Sequence, residues 1–160
     1  MTAHHILRLA DAPHHLGTIA AWNHAEWGMN SGHTLQDSIE WFQDMIRKPS
    51  EECLIAERDG AAIGMASLVD HDLAERPDLL HWLASVYVHP DFRKTGAATA
   101  LIQAVEQQAA LRDIEHLHLY TNTAEQLYTR LGWKVCERFQ RGPETRFAIM
   151  RKDPLYQAIE

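Results

Sequence analysis

No stretch of this chain approaches the ~20 consecutive apolar residues that a helical membrane span requires, so membrane-spanning function is not expected. Basic charge is also short: 15 Lys and Arg face 22 Asp and Glu, a formal net charge of −7. General nucleic-acid binding needs a basic face that displaces phosphate counterions, and this balance excludes it. The acidic excess favours a cationic partner instead. Cysteine is scarce, with only Cys53 and Cys136. Two isolated cysteines make no disulfide framework and fit a reducing compartment, and both are expected in the core. Met1-Thr2-Ala3-His4-His5 lacks the apolar region of a signal peptide, and the expectation is a cytoplasmic protein. The 11 histidines include the pairs His4-His5 and His14-His15, yet no HExxH or CxxC grouping is present, and no metal site is expected. Neither a Walker A loop nor a full GxGxxG occurs. Repeats, linkers and low-complexity tracts are absent.

What remains is a chain of 160 residues, 46% apolar and 23% charged. That is the size and composition of one globular domain, spanning 1–160. His4 to Leu9 reads as a short strand. Asp11 is positioned to cap a helix with Pro13 in its first turn, ended by Gly28. Thr34 and Asp37 form a capping-box variant, and Leu35, Ile39, Phe42 and Ile46 lie on one helical face behind it. Cys53 to Arg58 and Ala62 to Val69 flank Asp59-Gly60, a two-residue hairpin signal. Gly64 marks a bulge or bend in the second of these strands. Asp70 to Asp78 is a polar, acidic connection. Glu115 to Tyr120 is a strand, Ala124 to Leu131 a short helix stopped by Gly132, and Trp133 to Phe139 pairs with Thr145 to Lys152 as a final hairpin. This order predicts an α/β fold, a single mixed, mostly antiparallel sheet flanked by helices.

The central stretch is Trp82 to Leu101. Trp82 to Val88 is a buried strand, rich in β-branched and aromatic residues. His89-Pro90-Asp91 stops it. Arg93-Lys94-Thr95-Gly96-Ala97-Ala98-Thr99 then opens a helix. Strand, tight small-residue turn and helix N-terminus together make an anion cradle: the first-turn N–H groups are free and the helix dipole is positive there. Gly96 admits close approach to the backbone, and Arg93 and Lys94 add charge. The reading is a phosphate or pyrophosphate site.

Arg93-x-x-Gly96-x-Ala98 resembles the acyl-CoA-binding motif of the GNAT acetyltransferase superfamily. A second stretch, Ala124-Glu125-Gln126-Leu127-Tyr128-Thr129-Arg130-Leu131-Gly132-Trp133, is similar to that superfamily's second signature. The resemblance implies a splay between the Trp82–Val88 and Glu115–Tyr120 strands and acetyl-CoA as acyl donor. Main-chain groups of Val86, Tyr87 and Val88 would hold the pantetheine arm and polarise the thioester, and Arg93 to Thr99 would hold the pyrophosphate. Asn122 would bond the cofactor arm, one position away from the family's usual Asn. Tyr128 would protonate the departing thiolate. The family's central-strand Glu has no counterpart near Trp82. His81 is the nearest titratable group with a suitable pKa, Ser85 could order a water, and His118 and Tyr120 lie on the next strand; side-chain and water-mediated deprotonation both stay open. Glu26, Trp27 and Asp72, with Ser85, fall where the family binds its acceptor. That acceptor is an amine, either a small molecule or a peptide N-terminus. Many members pair as homodimers, so a homodimer is expected. A non-catalytic acyl-CoA-sensing module of the same fold is the alternative that the missing Glu permits.

Overall fold

A computed structural model of the chain describes residues 4–154; the reading of Met1–Ala3 lies outside the described residues. Seven strands, β1 (His5–Arg8), β2 (Glu52–Arg58), β3 (Ala61–Val69), β4 (Trp82–Val88), β5 (Leu117–Thr121), β6 (Lys134–Arg141) and β7 (Thr145–Lys152), form one sheet ordered β1-β2-β3-β4-β5-β7-β6. All neighbours are antiparallel except β4 and β5. The helices are α1 (Leu16–Asn23), α2 (Leu35–Arg47), α3 (Ala97–Leu111) and α4 (Glu125–Arg130). None of the described helices is long and apolar enough to cross a membrane.

Strand alternation sends successive residues to opposite faces, and β2 shows the result. Leu54 and Ala56 join a core with Leu101, Ile102 and Val105 of α3 and with Tyr128 of α4. Cys53 and Ile55 join a second core with Ile19 of α1 and with Phe42 and Met45 of α2. Trp133 and Trp82 are fully buried, one in each layer; truncating such a side chain costs about 3–5 kcal/mol.

Local signals read from sequence are met in several places. Thr34 and Asp37 exchange both capping-box bonds. Asp59 and Gly60 both have positive φ, as a primed hairpin turn demands. Between β2 and β3 one step from Ala56 to Glu57 faces two from Gly64 to Ala62, so the bulge expected near Gly64 is there. A Cβ on Gly64 would lie 2.9 Å from the Tyr87 carbonyl and 3.0 Å from Leu101, so glycine also lets α3 seat against the sheet.

Other expectations are corrected. Asp11 does not cap α1: two 3₁₀ turns, Leu9–Asp11 and Pro13–His15, intervene, and Asp11 faces Arg8 at 3.9 Å. Gly28 does not end the first helical segment, which continues through a π turn, His24–Gly28, and a 3₁₀ turn before Gly32 closes it at φ +76°. The buried face of α2 is Ser38, Phe42 and Met45, whereas Leu35 and Ile46 are exposed. Cys53 is buried, and burial pushes its thiol up to about 12. Cys136 is exposed, because β6 is an edge strand with its outer face open to solvent.

The sheet opens between β4 and β5. These parallel strands share one register pair, Trp82 with His118, and then part. The reason lies in β4. From Met65 to Ser67 β3 advances two residues, while β4 runs three, from Tyr87 to Ala84. The extra residue makes a bulge, with Ser85 at φ +55°. Bulges bend a strand and sharpen its twist, and this one turns β4 away from β5.

Candidate active site

The opening between β4 and β5 leads into a cleft of about 1200 Å³. Leu83 to Val86 of β4 form one wall, and Leu119 to Ala124, with Tyr128 of α4, form the opposite wall. Along the opened edge of β4, main-chain groups lack the sheet partners that the closed end has, which suits a ligand that adds itself like a strand. Ser85 and Val86, singled out from sequence, lie at the bulge on this edge. A non-glycine residue at positive φ is strained, and such strain concentrates at functional sites.

β4 runs from this edge directly into the anion cradle. Lys94 (φ +64°) and Gly96 (φ +88°) both take left-handed backbone on either side of Thr95, and Gly96 is the N-cap of α3. This curls the main chain into a concavity of N–H groups below the helix N-terminus. Gly96 is required chiefly for its φ; a Cβ there would meet only His4 Nε2, at 3.9 Å. The flanking side chains are partly committed to building the loop. Arg93 donates from Nε to the Val88 carbonyl at 2.9 Å, and its guanidinium lies 5.7 Å from the Tyr87 ring centroid. The Thr95 hydroxyl donates to the Phe92 carbonyl at 2.6 Å, and His4 Nε2 lies 3.0 Å from the Thr95 carbonyl. The first intrahelical bond is from the Ala100 N–H to the Gly96 carbonyl at 3.0 Å, which leaves the main-chain N–H groups of Ala97, Ala98 and Thr99 without an intrahelical partner.

Tyr128 lies in the wall facing β4 and is 7% exposed, packed edge-on against Trp133 at 6.1 Å. Leu127 and Leu131 of α4 are only partly buried, and Tyr128 is the buried member of this helix. Burial pushes its phenol up to about 12. Asn122 also lines the cleft, but the turn before α4 is capped by Thr121, whose Oγ1 accepts from the Ala124 N–H at 3.0 Å.

The side of the cleft away from the cradle is made by side chains. Glu26 and Trp27 reach it from the π turn after α1, and Asp37, Glu40, Trp41 and Asp44 from the outer face of α2. Asp72 comes from the β3–β4 connection, and Arg141 and Phe147 from the β6–β7 hairpin. Arg141 is held by Glu75 through two bonds of 2.8 and 2.9 Å, and its guanidinium packs 5.1 Å from Phe147 and 5.9 Å from Tyr120. Asp72 is strongly perturbed by its surroundings. Burial in the cleft wall pushes its carboxyl up to about 7. The neighbouring Tyr120 phenol is raised by its own burial and by the Asp72 charge.

The sequence-derived residues thus fall into two groups and one outlier. Ser85, Val86, Asn122, Tyr128, Glu26, Trp27 and Asp72 meet around one cleft. Tyr87, Val88 and Arg93 to Thr99 continue from it into the cradle. His81 is apart: it precedes the closed end of the opening, at φ +70°, with its carbonyl accepting from the His118 N–H at 2.9 Å, and it does not line the cleft. Sequence reasoning missed the polar face of α2. The spacing Asp37, Glu40, Trp41, Asp44 (i, i+3, i+4, i+7) was the available signal.

The chain matches the model of the acetyltransferase (GNAT) family over residues 16–133. It belongs to the GNAT acetyltransferase family. Over 91 residues, 57% of its length, it is 30% identical to the amino-acid acetyltransferase of Haemophilus ducreyi, and over 98 residues 30% identical to that of Pasteurella multocida. It spans about a fifth of the length of these relatives, 20% and 21%. Among solved structures, an aminoglycoside 6′-N-acetyltransferase complexed with coenzyme A superposes with a TM-score of 0.74 at 15% identity, covering 94% of this chain and 97% of that one. The ribosomal-protein-alanine N-acetyltransferase of Brucella melitensis gives 0.69 at 19% identity, covering 95% and 99%. These structures share the GNAT fold, including the mostly antiparallel open sheet seen here.

Proposed function

We propose that this GNAT chain moves an acetyl group from acetyl-CoA to a primary amine by direct attack, with Asp72 as general base and Tyr128 as proton donor to the CoA sulfur. The observation that carries the reading is the continuity of the freed β4 edge with the cradle below α3. Pantetheine lies along Ser85 to Val88 like an added strand, and the pyrophosphate sits on the N–H groups from Gly96 to Thr99. The bulge at Ser85 turns main-chain N–H groups toward the thioester carbonyl, where negative charge develops in the transition state.

Direct transfer needs the amine nitrogen neutral and close to the carbonyl. A cationic amine gives one proton to Asp72, attacks the carbonyl carbon, and forms a tetrahedral oxyanion. Collapse re-forms C=O and breaks the C–S bond; Tyr128 supplies the proton that makes the product thiol, and the second proton shed by the amine nitrogen as it becomes an amide restores the Tyr128 phenol. A carboxyl pushed up to about 7 is poised for this work, since a general base is most effective when its pKa lies near the working pH. The Tyr128 phenol, pushed up to about 12, keeps its proton throughout that range.

The acceptor side favours a cation. Glu26, Asp37, Glu40, Asp44 and Asp72 line it, and the one arginine there is committed to Glu75. A zwitterionic amino acid would set its carboxylate against this wall, whereas a diamine or an amino sugar meets complementary charge. Free-thiol release with a panel of amines, alongside calorimetric titration of acetyl-CoA, tests the reading. Linear polyamines and amino sugars are expected to turn over faster than neutral-chain amino acids. Binding without turnover by any amine would favour the sensing module.

A further inference from the structure

We infer that His14, His15 and Glu57 bind one divalent transition-metal ion at the edge of the sheet, with His5 as an available fourth ligand. The site is assembled by three separate segments. In the β1–β2 register His5 is paired with Glu57, so the two side chains share a face. The next pair on that face is Leu7 with Ile55, and Ile55 belongs to the core beneath α1 and α2. The turn Pro13–His15 leads into α1 and lowers His15 onto the end of this layer, where it is 5% exposed. There His15 Nε2 lies 2.6 Å from Glu57 Oε2, and the His14 and His15 ring centroids are 4.1 Å apart. One donor atom from each of His14, His15 and Glu57 falls within 4.8 Å of the others. His5 Nδ1 is 4.0 Å from Glu57 Oε1.

An ion pair between His15 and Glu57 would account for one imidazole. It does not account for a second imidazole donor within reach of the same carboxylate and a third beside it. Three imidazoles and a carboxylate are the donor set of zinc and of the neighbouring metals nickel and cobalt, whereas calcium and magnesium take oxygen. A tetrahedral ion with bonds of ~2.05 Å separates its ligands by about 3.3 Å, so occupancy needs the 2.6 Å contact to open by about 0.7 Å and separations of up to 4.8 Å to close by up to about 1.5 Å. None of the four residues lines the cleft. The ion is therefore a staple joining β1, the turn before α1 and the end of β2, with no part in acetyl transfer.

The test uses the whole chain without an affinity tag, stripped with a chelator, and titrated with Co²⁺ by visible absorption and with Zn²⁺ by competition. Wild type is expected to take one Co²⁺ per chain in a low-coordinate site. His14→Ala, at an exposed position, and Glu57→Gln, which keeps a polar partner for His15, should each weaken binding about 100-fold or more. His33→Ala should bind like wild type. Zn²⁺ should raise the unfolding temperature of wild type and of His33→Ala, and of neither other variant. Equal Co²⁺ affinity in wild type and His14→Ala overturns the proposal, as does the absence of stoichiometric binding by wild type. Should Glu57→Gln fail to fold, the His14→Ala comparison decides alone.

Discussion

The two halves of the cleft are made from different materials. The half toward α3 is backbone: a bulged strand edge, two left-handed residues and a helix N-terminus. Its side chains mostly hold the loop in shape, as Arg93 does on the Val88 carbonyl and Thr95 on that of Phe92. The opposite half is side chains carried by four segments distant in sequence, with five carboxylates and one committed arginine. A backbone site suits a constant group, as the anionic arm of the proposed acetyl-CoA would be, and tolerates side-chain change. A side-chain site can be rewritten residue by residue, which suits a half that selects an acceptor.

If this division is right, substitutions should separate cleanly by half. The largest effect is expected from Asp72→Asn, a loss of about 10²–10³ in kcat with acetyl-CoA affinity unchanged. In wild type, kcat/KM for the amine should fall about tenfold per pH unit below the Asp72 pKa of about 7, and that limb should vanish in the variant. The same raised pKa has a stability sign. The folded state holds a proton that the unfolded chain releases near an ordinary carboxyl pKa, so stability falls as pH rises from there through about 7. Asp72→Asn should therefore unfold at a higher temperature than wild type at alkaline pH, and the gain should disappear in acid; an unchanged melting profile across pH would contradict the burial of this carboxyl.

Next comes the backbone half. Gly96→Trp forces a side chain onto φ +88°, a strain of about 1–2 kcal/mol, and fills the cradle. Acetyl-CoA binding should weaken roughly 100-fold by calorimetry, about 2.7 kcal/mol, with amine selectivity among residual turnovers unaltered. Tyr128→Phe should lower kcat by about 10–10² while leaving both binding steps within about twofold. A change in the KM for acetyl-CoA instead would make Tyr128 a packing residue of the core it shares with Trp133. The smallest effect is Ser85→Gly. Relief of left-handed strain, about 1–2 kcal/mol, against a glycine entropy cost of about 0.5–1 kcal/mol leaves a net gain of about 0–1.5 kcal/mol, read as an unchanged or slightly raised unfolding temperature.

The same contrast explains what sequence could show. The backbone half was legible because its parts are local: a proline stop, small residues and a basic pair after an apolar strand specify strand, turn and helix within Trp82 to Leu101. The Thr34 capping box, the Asp59-Gly60 hairpin and the Gly64 bulge were legible for the same reason. The side-chain half depends on which distant segments the sheet brings together. Asp72 could be named, but not its raised pKa, which comes only from burial in the folded wall. His81 was chosen for proximity in sequence to the central strand; the single β4–β5 pair puts it at the closed end instead. Cys136 read as core because free cysteine is among the most buried residue types, whereas the sheet order makes β6 an edge.

The most direct test is thiol release from acetyl-CoA with a linear triamine, for wild type and Asp72→Asn, across the pH range bracketing 7, with acetyl-CoA affinity measured in the same samples. Equal cofactor binding, a wild-type rate that rises through pH about 7, and a variant slowed by about 10²–10³ without that rise are the predicted result. Turnover by the variant at the wild-type rate throughout would contradict the assignment of chemistry to the side-chain half of the cleft.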